Sequence, residues 1–352
     1  MGGAGGAGRA GGAGKAAVVH TPGLPPAFTD HPGAGVAGAA GVAPAGPGTS
    51  LVQVSAAPIT PLDLLCAGGT SYFGTPATPY VPGVQGVGRV VTSSTLPAGT
   101  RVWFATTAGM APGDGSLAPH CVVADEDLVP LDDGADDVLV AALGLSAVAA
   151  WSCLTTRGRL QPGERVLVLG AGGVVGQVAV QAARLLGATR IVGACRSERA
   201  AGHARAAGAD SVVPLGTPGP DGDEDVGVLA ARFAAALGGA ADLVVDPLCG
   251  RPASAALEVL APRGRLVNLG GSAGATATFS SATLRSRSAE ILGYTNSDLS
   301  PAERAAALRE VLRHAAAGRL TVRHEVVPLT DVADAWERQR TGTADGRVVL
   351  LP

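Results

Sequence analysis

Hydrophobic positions follow two different periodic patterns along this chain. Up to about Leu131 they alternate with polar positions in short runs separated by glycine and proline, as in "KAAVVH", "SLVQVSAAPI" and "GTRVWFAT". Alternation with a period of two is typical of strands that bury one face. Because little helical pattern lies between these runs, the sequence predicts a partly open antiparallel β-barrel for this region.

From about residue 136, strand patterns and helix patterns alternate. The runs "RVLVLG", "RIVGAC" and "GRLVNLG" indicate buried strands, and segments with helical spacing separate them. This alternation predicts βαβ units, and therefore a parallel sheet with helices on both faces. Nearer the C-terminus, a long helical pattern has Ser300 as its N-cap, Pro301 at the first position and Glu303 completing a capping box.

A cluster of glycines lies inside "VLVLGAGGVVGQVAV", between a predicted strand and a helix predicted to begin at about Val175. Glycine lets the backbone turn sharply and lets a pyrophosphate approach the main chain, while the helix N-terminus offers N–H donors. An ordinary tight turn is the alternative, but the position within βαβ units favours dinucleotide binding. The predicted contacts are Gly170, Gly172, Gly173, Val174, Val175 and Gly176.

The residues after the second strand of these units bear on which dinucleotide binds. A ribose 2′-hydroxyl is usually held by an acidic residue at the tip of that strand. Here Arg196, Ser197, Glu198 and Arg199 follow "RIVGAC", and guanidinium groups pair well with phosphate oxygens. The sequence therefore predicts NADPH, bound by Arg196, Ser197 and Arg199. Alternatively these arginines are ordinary exposed residues at a helix start, and Glu198 would weaken the preference.

Composition narrows the possible partners. The chain has 352 residues, of which 47% are hydrophobic and 16% charged, with a net charge of −3. These values are typical of a globular protein of two domains and give no electrostatic reason to expect nucleic acid or a membrane surface as a partner. We expect no segment long and apolar enough to span a membrane. Five cysteines without a CxxC motif favour reduced thiols and the cytoplasm.

From Lys15 onward the chain resembles the medium-chain dehydrogenase/reductase superfamily, in particular its zinc-independent quinone oxidoreductase branch. The segments "PITPLDLL", "VPGVQGVGRVV" and "ADLVVDPLCG" are similar to that family's motifs and occur in its order. The resemblance implies an α/β protein, with a Rossmann doubly wound parallel sheet inserted into a GroES-like, partly open β-barrel catalytic domain. The barrel would comprise residues 15–135 and 296–352, the Rossmann domain residues 136–295, and a flexible tail residues 1–14.

The chain departs from its zinc-dependent relatives at the ligand positions. Thr60 and Val84 stand where two ligands would be, and residues 143–146 contain no Cys, His or Asp for the third. Zinc needs three or four nitrogen, sulfur or carboxylate ligands, so the resemblance implies no metal. Val174 replaces a glycine of the family's turn, an exchange that is tolerable if Gly173 and Gly176 carry the unusual dihedrals.

Without a metal, hydrogen-bond donors must stabilise the negative charge that hydride transfer leaves on the acceptor oxygen. The acceptor is therefore expected to be electron-poor, either a quinone or an α,β-unsaturated carbonyl. The candidate donors are Thr60, Tyr72 and the nicotinamide ribose hydroxyl. Asp63 is either an acid or the residue that fixes a loop or caps the short helix at "PLDLL". The resemblance further implies that Ser146 and the turn Asn268 to Ser272 contact the nicotinamide. The predicted cofactor-binding residues here are Ser146, Leu248, Leu269, Gly270 and Ser272.

Two other functions remain open at this point. The chain could perform a different reductive step in secondary metabolism, or it could be a scaffold or binding protein on an enzyme fold. The apolar strand "AEILGYT" should lie at an edge of the nucleotide sheet, so we expect a homodimer paired through that edge. The alternative is an edge that the C-terminal helix covers.

Overall fold

A computed structural model describes residues 14–32, 46–132, 134–216 and 225–352 of the chain. It divides into two compact units, residues 1–142 with 324–352 and residues 143–323. Residues 1–13 of the predicted tail lie outside the described residues, and Gly14 already belongs to the first strand.

The first unit is built mainly of strands. Its elements are β1 (Gly14–Val18), β2 (Ala27–His31), β3 (Thr49–Pro58), α1 (Pro61–Ala67), β4 (Gln85–Thr92), β5 (Arg101–Ala105), β6 (His120–Ala124), β7 (Leu128–Pro130), β14 (His324–Pro328), α9 (Val332–Thr341) and β15 (Arg347–Leu351). The main sheet has the order β14-β15-β3-β4-β5-β7, with β6 also pairing with β3, and a separate two-stranded sheet joins β1 to β2. All pairs are antiparallel except β14 with β15, as a partly open barrel requires.

The second unit alternates strands with helices. Its elements are β8 (Arg165–Leu169), α3 (Val174–Leu185), β9 (Arg190–Cys195), α4 (Glu198–Ala206), β10 (Ser211–Pro214), α5 (Val226–Leu237), β11 (Ala241–Asp246), α6 (Gly250–Glu258), β12 (Leu260–Asn268), α7 (Ser281–Arg287), β13 (Glu290–Gly293) and α8 (Pro301–Ala316). The strands form a six-stranded, fully parallel sheet in the order β10-β9-β8-β11-β12-β13. This is the doubly wound order of dinucleotide-binding folds, so the predicted fold class is confirmed.

Helix α2 (Asp137–Ser152) contains one boundary between the units, and it bends at Gly144, whose backbone leaves the helical region (φ 33°, ψ −133°). With the helical turn that follows, it forms a 21-residue stretch, Asp137–Arg157, long and apolar enough to cross a membrane. The expectation that no segment reaches this length is therefore wrong. Because 67% of its most apolar window is buried inside the protein, the stretch is typical of a core helix.

The second boundary lies later in the chain than the sequence suggests, because residues 296–323 pack on the nucleotide-binding unit. Asn296 Nδ2 donates to the carbonyl of Leu145 (3.0 Å). Gln181 Nε2 donates to the carbonyl of Thr321 (2.7 Å), and its Oε1 accepts from the N–H of the same residue (3.0 Å). Helix α8 therefore belongs to the second unit. Its predicted capping box is confirmed, since Ser300 and Glu303 each bind the other's backbone N–H.

Two tyrosines, Tyr80 and the half-buried Tyr294, differ in whether their hydroxyl has a hydrogen-bond partner. Tyr80 is 5% exposed, and its hydroxyl has no hydrogen-bond partner among the described residues. It lies against Gly109, where an added Cβ would be 3.1 Å from the hydroxyl oxygen. The hydroxyl of Tyr294, by contrast, donates to Asn296 Oδ1 (2.7 Å).

We predict that Tyr80→Phe raises the free energy of unfolding by about 1 kcal/mol, since it removes a buried polar group that forms no bond. Tyr294→Phe is the matched control and should lower it by about 1 kcal/mol. Urea unfolding of the full chain measures both. A loss of stability in Tyr80→Phe equal to that in Tyr294→Phe would contradict the prediction.

Candidate functional site

In the turn after β8, close packing requires glycine at more positions than unusual dihedral angles do. Only Gly170 among its glycines has a positive φ (+63°). A Cβ on Gly172 would lie 2.4 Å from the carbonyl oxygen of Ala200, and one on Gly176 would lie 2.4 Å from that of Gly170. Gly173 has an ordinary φ of −77°. The condition set for Val174, that Gly173 and Gly176 carry the unusual dihedrals, is therefore not met, and Gly170 carries the positive φ instead.

Helix α3 begins directly after this turn, at Val174, with Gly173 as its N-cap and no side chain capping it. The N–H groups of the first turn, with the positive end of the helix dipole, are therefore available to an anion. Gln177 holds the turn in place, because its Nε2 donates to the carbonyl of Gly172 (2.9 Å) and its Oε1 accepts from Arg323 N (3.0 Å). This arrangement can hold a pyrophosphate.

A small cavity of about 80 Å³ lies where β9 meets α4. Ser197 caps α4 by accepting from Ala200 N (3.2 Å). The predicted contacts Arg196 and Ser197 line this cavity, whereas Arg199 is not among the lining residues. The sequence reasoning missed Arg205, which lines the cavity and donates to the carboxylate of Glu198. The available signal was the seven-residue spacing, which places two helical residues on one face.

A buried carboxylate orders the turns after β11 and β12. Asp246 Oδ1 accepts from the N–H groups of Leu248 (2.9 Å) and Cys249 (2.8 Å), and its Oδ2 accepts from Asn268 Nδ2 (2.8 Å). Asn268 Nδ2 also donates to the carbonyl of Gly270 (2.9 Å). Burial raises the pKa of Asp246, while these donors oppose the shift. The sequence reasoning missed Asp246, although it is the polar last residue of an apolar strand.

These turns pack against the glycine turn at the carboxyl edge of the sheet. A Cβ on Gly170 would lie 3.1 Å from Leu248 Cδ2, and one on Gly270 would lie 2.7 Å from the carbonyl oxygen of Pro247. Ser272 Oγ donates to the same carbonyl (3.3 Å). The structure thus brings together five predicted cofactor contacts, namely Gly170, Leu248, Leu269, Gly270 and Ser272. Ser146 is buried in α2, two residues after the bend.

In the first unit, Thr60 and Asp63 form a capping box at the start of α1. Thr60 Oγ1 donates to Asp63 Oδ2 (2.6 Å) and accepts from Asp63 N (3.2 Å). The same carboxylate oxygen accepts from Thr60 N (2.8 Å). The hydroxyl of Thr60 can donate one hydrogen bond, and it donates that bond to Asp63. The sequence predicts instead that it donates to the oxygen of the hydride acceptor.

The other oxygen of Asp63 fixes a distant turn. Oδ1 accepts from the N–H groups of Gly83 (3.0 Å) and Val84 (2.9 Å). Asp63 is 2% exposed, and burial raises its pKa against four donors that lower it. The expectation that Asp63 caps the helix and fixes a loop is confirmed. Its alternative role as a catalytic acid stays a prediction, and a carboxyl that is buried and engaged through both oxygens favours the structural role over it.

Two further side chains of the first unit, Arg347 and Tyr72, differ in burial. Arg347 is buried and donates from Nη1 to the carbonyl of Ile59 (2.7 Å); burial lowers its pKa to about 10, while the charge of Asp63 raises it. Tyr72, the other predicted donor, is 79% exposed, and its ring lies 4.4 Å from that of Phe73.

Among the residues that the structure describes, no group of three or more His, Cys, Asp or Glu side chains could hold a metal ion.

Comparison with known proteins gives two family models in sequence order. Residues 46–133 match the alcohol dehydrogenase GroES-like domain, and residues 174–313 match the zinc-binding dehydrogenase domain. A curated relative is one of the phenolphthiocerol/phthiocerol polyketide synthase proteins of Mycobacterium tuberculosis, 30% identical over 250 residues. Quinone oxidoreductase of Homo sapiens is 33% identical over 141 residues.

These matches are partial in length. The first covers 68% of this chain and 11% of the polyketide synthase protein; the second covers 39% of this chain and 41% of the quinone oxidoreductase. Among solved structures, a mycobacterial protein complexed with NADPH shares the fold with a TM-score of 0.80 and 22% identity, over 96% of this chain and 100% of that one. The two family models, together with the quinone oxidoreductase relative, show that the chain belongs to the medium-chain dehydrogenase/reductase superfamily and is quinone oxidoreductase-like.

Proposed function

We propose that the protein is an NADPH-dependent oxidoreductase that transfers hydride to an electron-poor acceptor, a quinone or an α,β-unsaturated carbonyl, without a metal ion. The observation that carries this proposal is the uncapped start of α3 beside Gly172 and Gly176, where a Cβ would collide with backbone. Such a turn leaves its N–H groups to a pyrophosphate. The NADPH complex of a protein with the same fold supports the choice of cofactor.

The residues at the carboxyl edge of the sheet fit this cofactor. The first turn of α3, Val174 to Gly176, would bind the pyrophosphate, and Arg196 with Ser197 would face the ribose 2′-phosphate. The nicotinamide would lie against the turns ordered by Asp246, with Ser146 as a further proposed contact. We assign no contact to Arg199, because it does not line the cavity.

When bound, NADPH would supply a hydride from C4 of its nicotinamide. A C–H bond would form on the conjugated acceptor, and a π electron pair of the acceptor would move to its oxygen. The oxygen then needs a proton. Thr60 directs its proton to Asp63 and Tyr72 is exposed, so we infer that the ribose hydroxyl or water supplies it. A conjugated acceptor spreads the charge, and weak neutral donors are then sufficient.

A reductive step in secondary metabolism is the second candidate, and the match to a polyketide synthase protein favours it. The chemistry would be the same, but the acceptor would be an α,β-unsaturated thioester. A protein without redox activity is less consistent with a glycine turn and helix start that can hold a dinucleotide.

The five free thiols suit a reducing compartment, and we propose the cytoplasm.

We predict that the purified protein oxidises NADPH faster than NADH in the presence of a quinone, a cyclic enone or an unsaturated thioester. The loss of reduced-nicotinamide absorbance measures the rates, and the preferred acceptor separates the two candidate functions. A chelator should leave the rate unchanged, and elemental analysis should find less than one zinc per chain. Stoichiometric zinc, or loss of activity with the chelator, would contradict the metal-free reaction.

We predict that Thr60→Val lowers the free energy of unfolding by about 1 kcal/mol, because it removes the N-cap of α1. Thr60→Ser keeps the hydroxyl and should retain that stability. Turnover with the best acceptor should change only a few-fold, which kcat on the same samples measures. A fall of about 10²–10³ in kcat at unchanged stability would show instead that Thr60 donates to the acceptor.

We also propose that two copies of the chain pair through β13. This strand ends the six-stranded sheet, and Ile291 within it is 44% exposed. An unpaired, apolar edge of this kind favours pairing with another chain. Light scattering at micromolar concentration should give the mass of two chains, and Ile291→Lys should give one. Val228→Lys, at an exposed apolar position of α5, is the control and should stay dimeric. A monomeric unmodified protein would refute the pairing.

A further inference from the structure

We infer that Glu198 and Arg205 together set the discrimination between NADPH and NADH. Arg205 would bind the ribose 2′-phosphate beside Arg196, and Glu198 would hold Arg205 in the ligand-free protein and favour a 2′-hydroxyl. This inference rests on the proposed function, because it concerns the same dinucleotide.

The geometry places both side chains at one cavity. Glu198 is the first residue of α4, and Arg205 lies two turns later on the same face. Arg205 Nη1 donates to Glu198 Oε1, so the guanidinium reaches back toward the helix start. Both residues line the cavity of about 80 Å³ that Arg196 and Ser197 share.

The charges of this cavity suit two different ligands. Two guanidinium groups face one carboxylate, which leaves a net positive charge when Glu198 is ionised. A 2′-phosphate carries close to two negative charges at neutral pH and can accept from Arg196 and Arg205 together. A 2′-hydroxyl has no charge to offer the arginines, but it can donate to the Glu198 carboxylate.

The ion pair is weak enough for a phosphate to displace Glu198. The Arg205 side chain is 55% exposed and that of Glu198 is 83% exposed. Exposed pairs of this kind contribute little because water and salt screen them. A phosphate that gains a bidentate guanidinium contact therefore exchanges a weak interaction for a stronger one. Breaking the ion pair lowers the affinity for NADPH, and removing the Glu198 carboxylate should therefore raise that affinity.

The test is equilibrium titration of the full chain with NADPH and NADH, followed by nucleotide fluorescence. The probes 2′,5′-ADP and 5′-AMP, used as competitors, isolate the 2′-phosphate. Arg205→Ala and Arg196→Ala should each weaken NADPH and 2′,5′-ADP about tenfold or more, and should leave NADH and 5′-AMP nearly unchanged. Glu198→Gln should tighten NADPH several-fold and weaken NADH. Arg313→Ala, from an exposed Arg–Glu pair of α8, is the control and should bind both nucleotides like the unmodified protein.

The outcomes separate this inference from the function on which it rests. Unchanged NADPH affinity in Arg205→Ala, with a loss in Arg196→Ala, would overturn the role of Arg205 and leave the proposed function intact. Unchanged affinities in Glu198→Gln would overturn the role of the carboxylate. If the unmodified protein bound neither nucleotide, the proposed function would fail as well. Urea unfolding of each variant distinguishes lost binding from lost folding.

Discussion

Segments of the chain pack so closely at the carboxyl end of β8 that a side-chain carbon on Gly172 or Gly176 would collide with backbone. Gly176 lets the first turn of α3 lie against the carbonyl of Gly170, and Gly172 lets the turn lie against Ala200 near the start of α4. Leu248 packs on Gly170 from the turn after β11. These contacts bring the ends of three neighbouring strands, β9, β8 and β11, together around the N-terminus of α3, and the candidate site depends on them.

Buried carboxylates do similar structural work in each unit. Asp63 ties the start of α1 to the turn at Gly83 and Val84, and Asp246 ties the turn after β11 to Asn268 at the end of β12. Each carboxylate accepts several hydrogen bonds while largely removed from water, so its role is to hold backbone in place. A reaction that needs no strong acid from the protein is consistent with this use, since conjugated acceptors distribute the charge that hydride leaves.

The sequence predicted the features that depend on local pattern. The order of alternating strands and helices, the glycine turn and the capping box at Ser300 all follow from residue spacing and turn chemistry, and the structure contains them. The features that it did not predict depend on contacts distant in the chain. The turn that Asp63 fixes, at Gly83 and Val84, lies 20 and 21 residues away and could not be identified before the fold was known. The positive φ of Gly170 likewise depends on how neighbouring turns pack.

The N-terminus of α3 is central to the proposed function as the binding site for the pyrophosphate of NADPH, and a crystal structure of the protein grown with NADPH tests this most directly. We predict pyrophosphate oxygens within hydrogen-bond distance of the N–H groups of Val174 and Val175, with the ribose 2′-phosphate in the cavity at the end of β9. A dinucleotide bound elsewhere, with the start of α3 facing only water, would contradict the account.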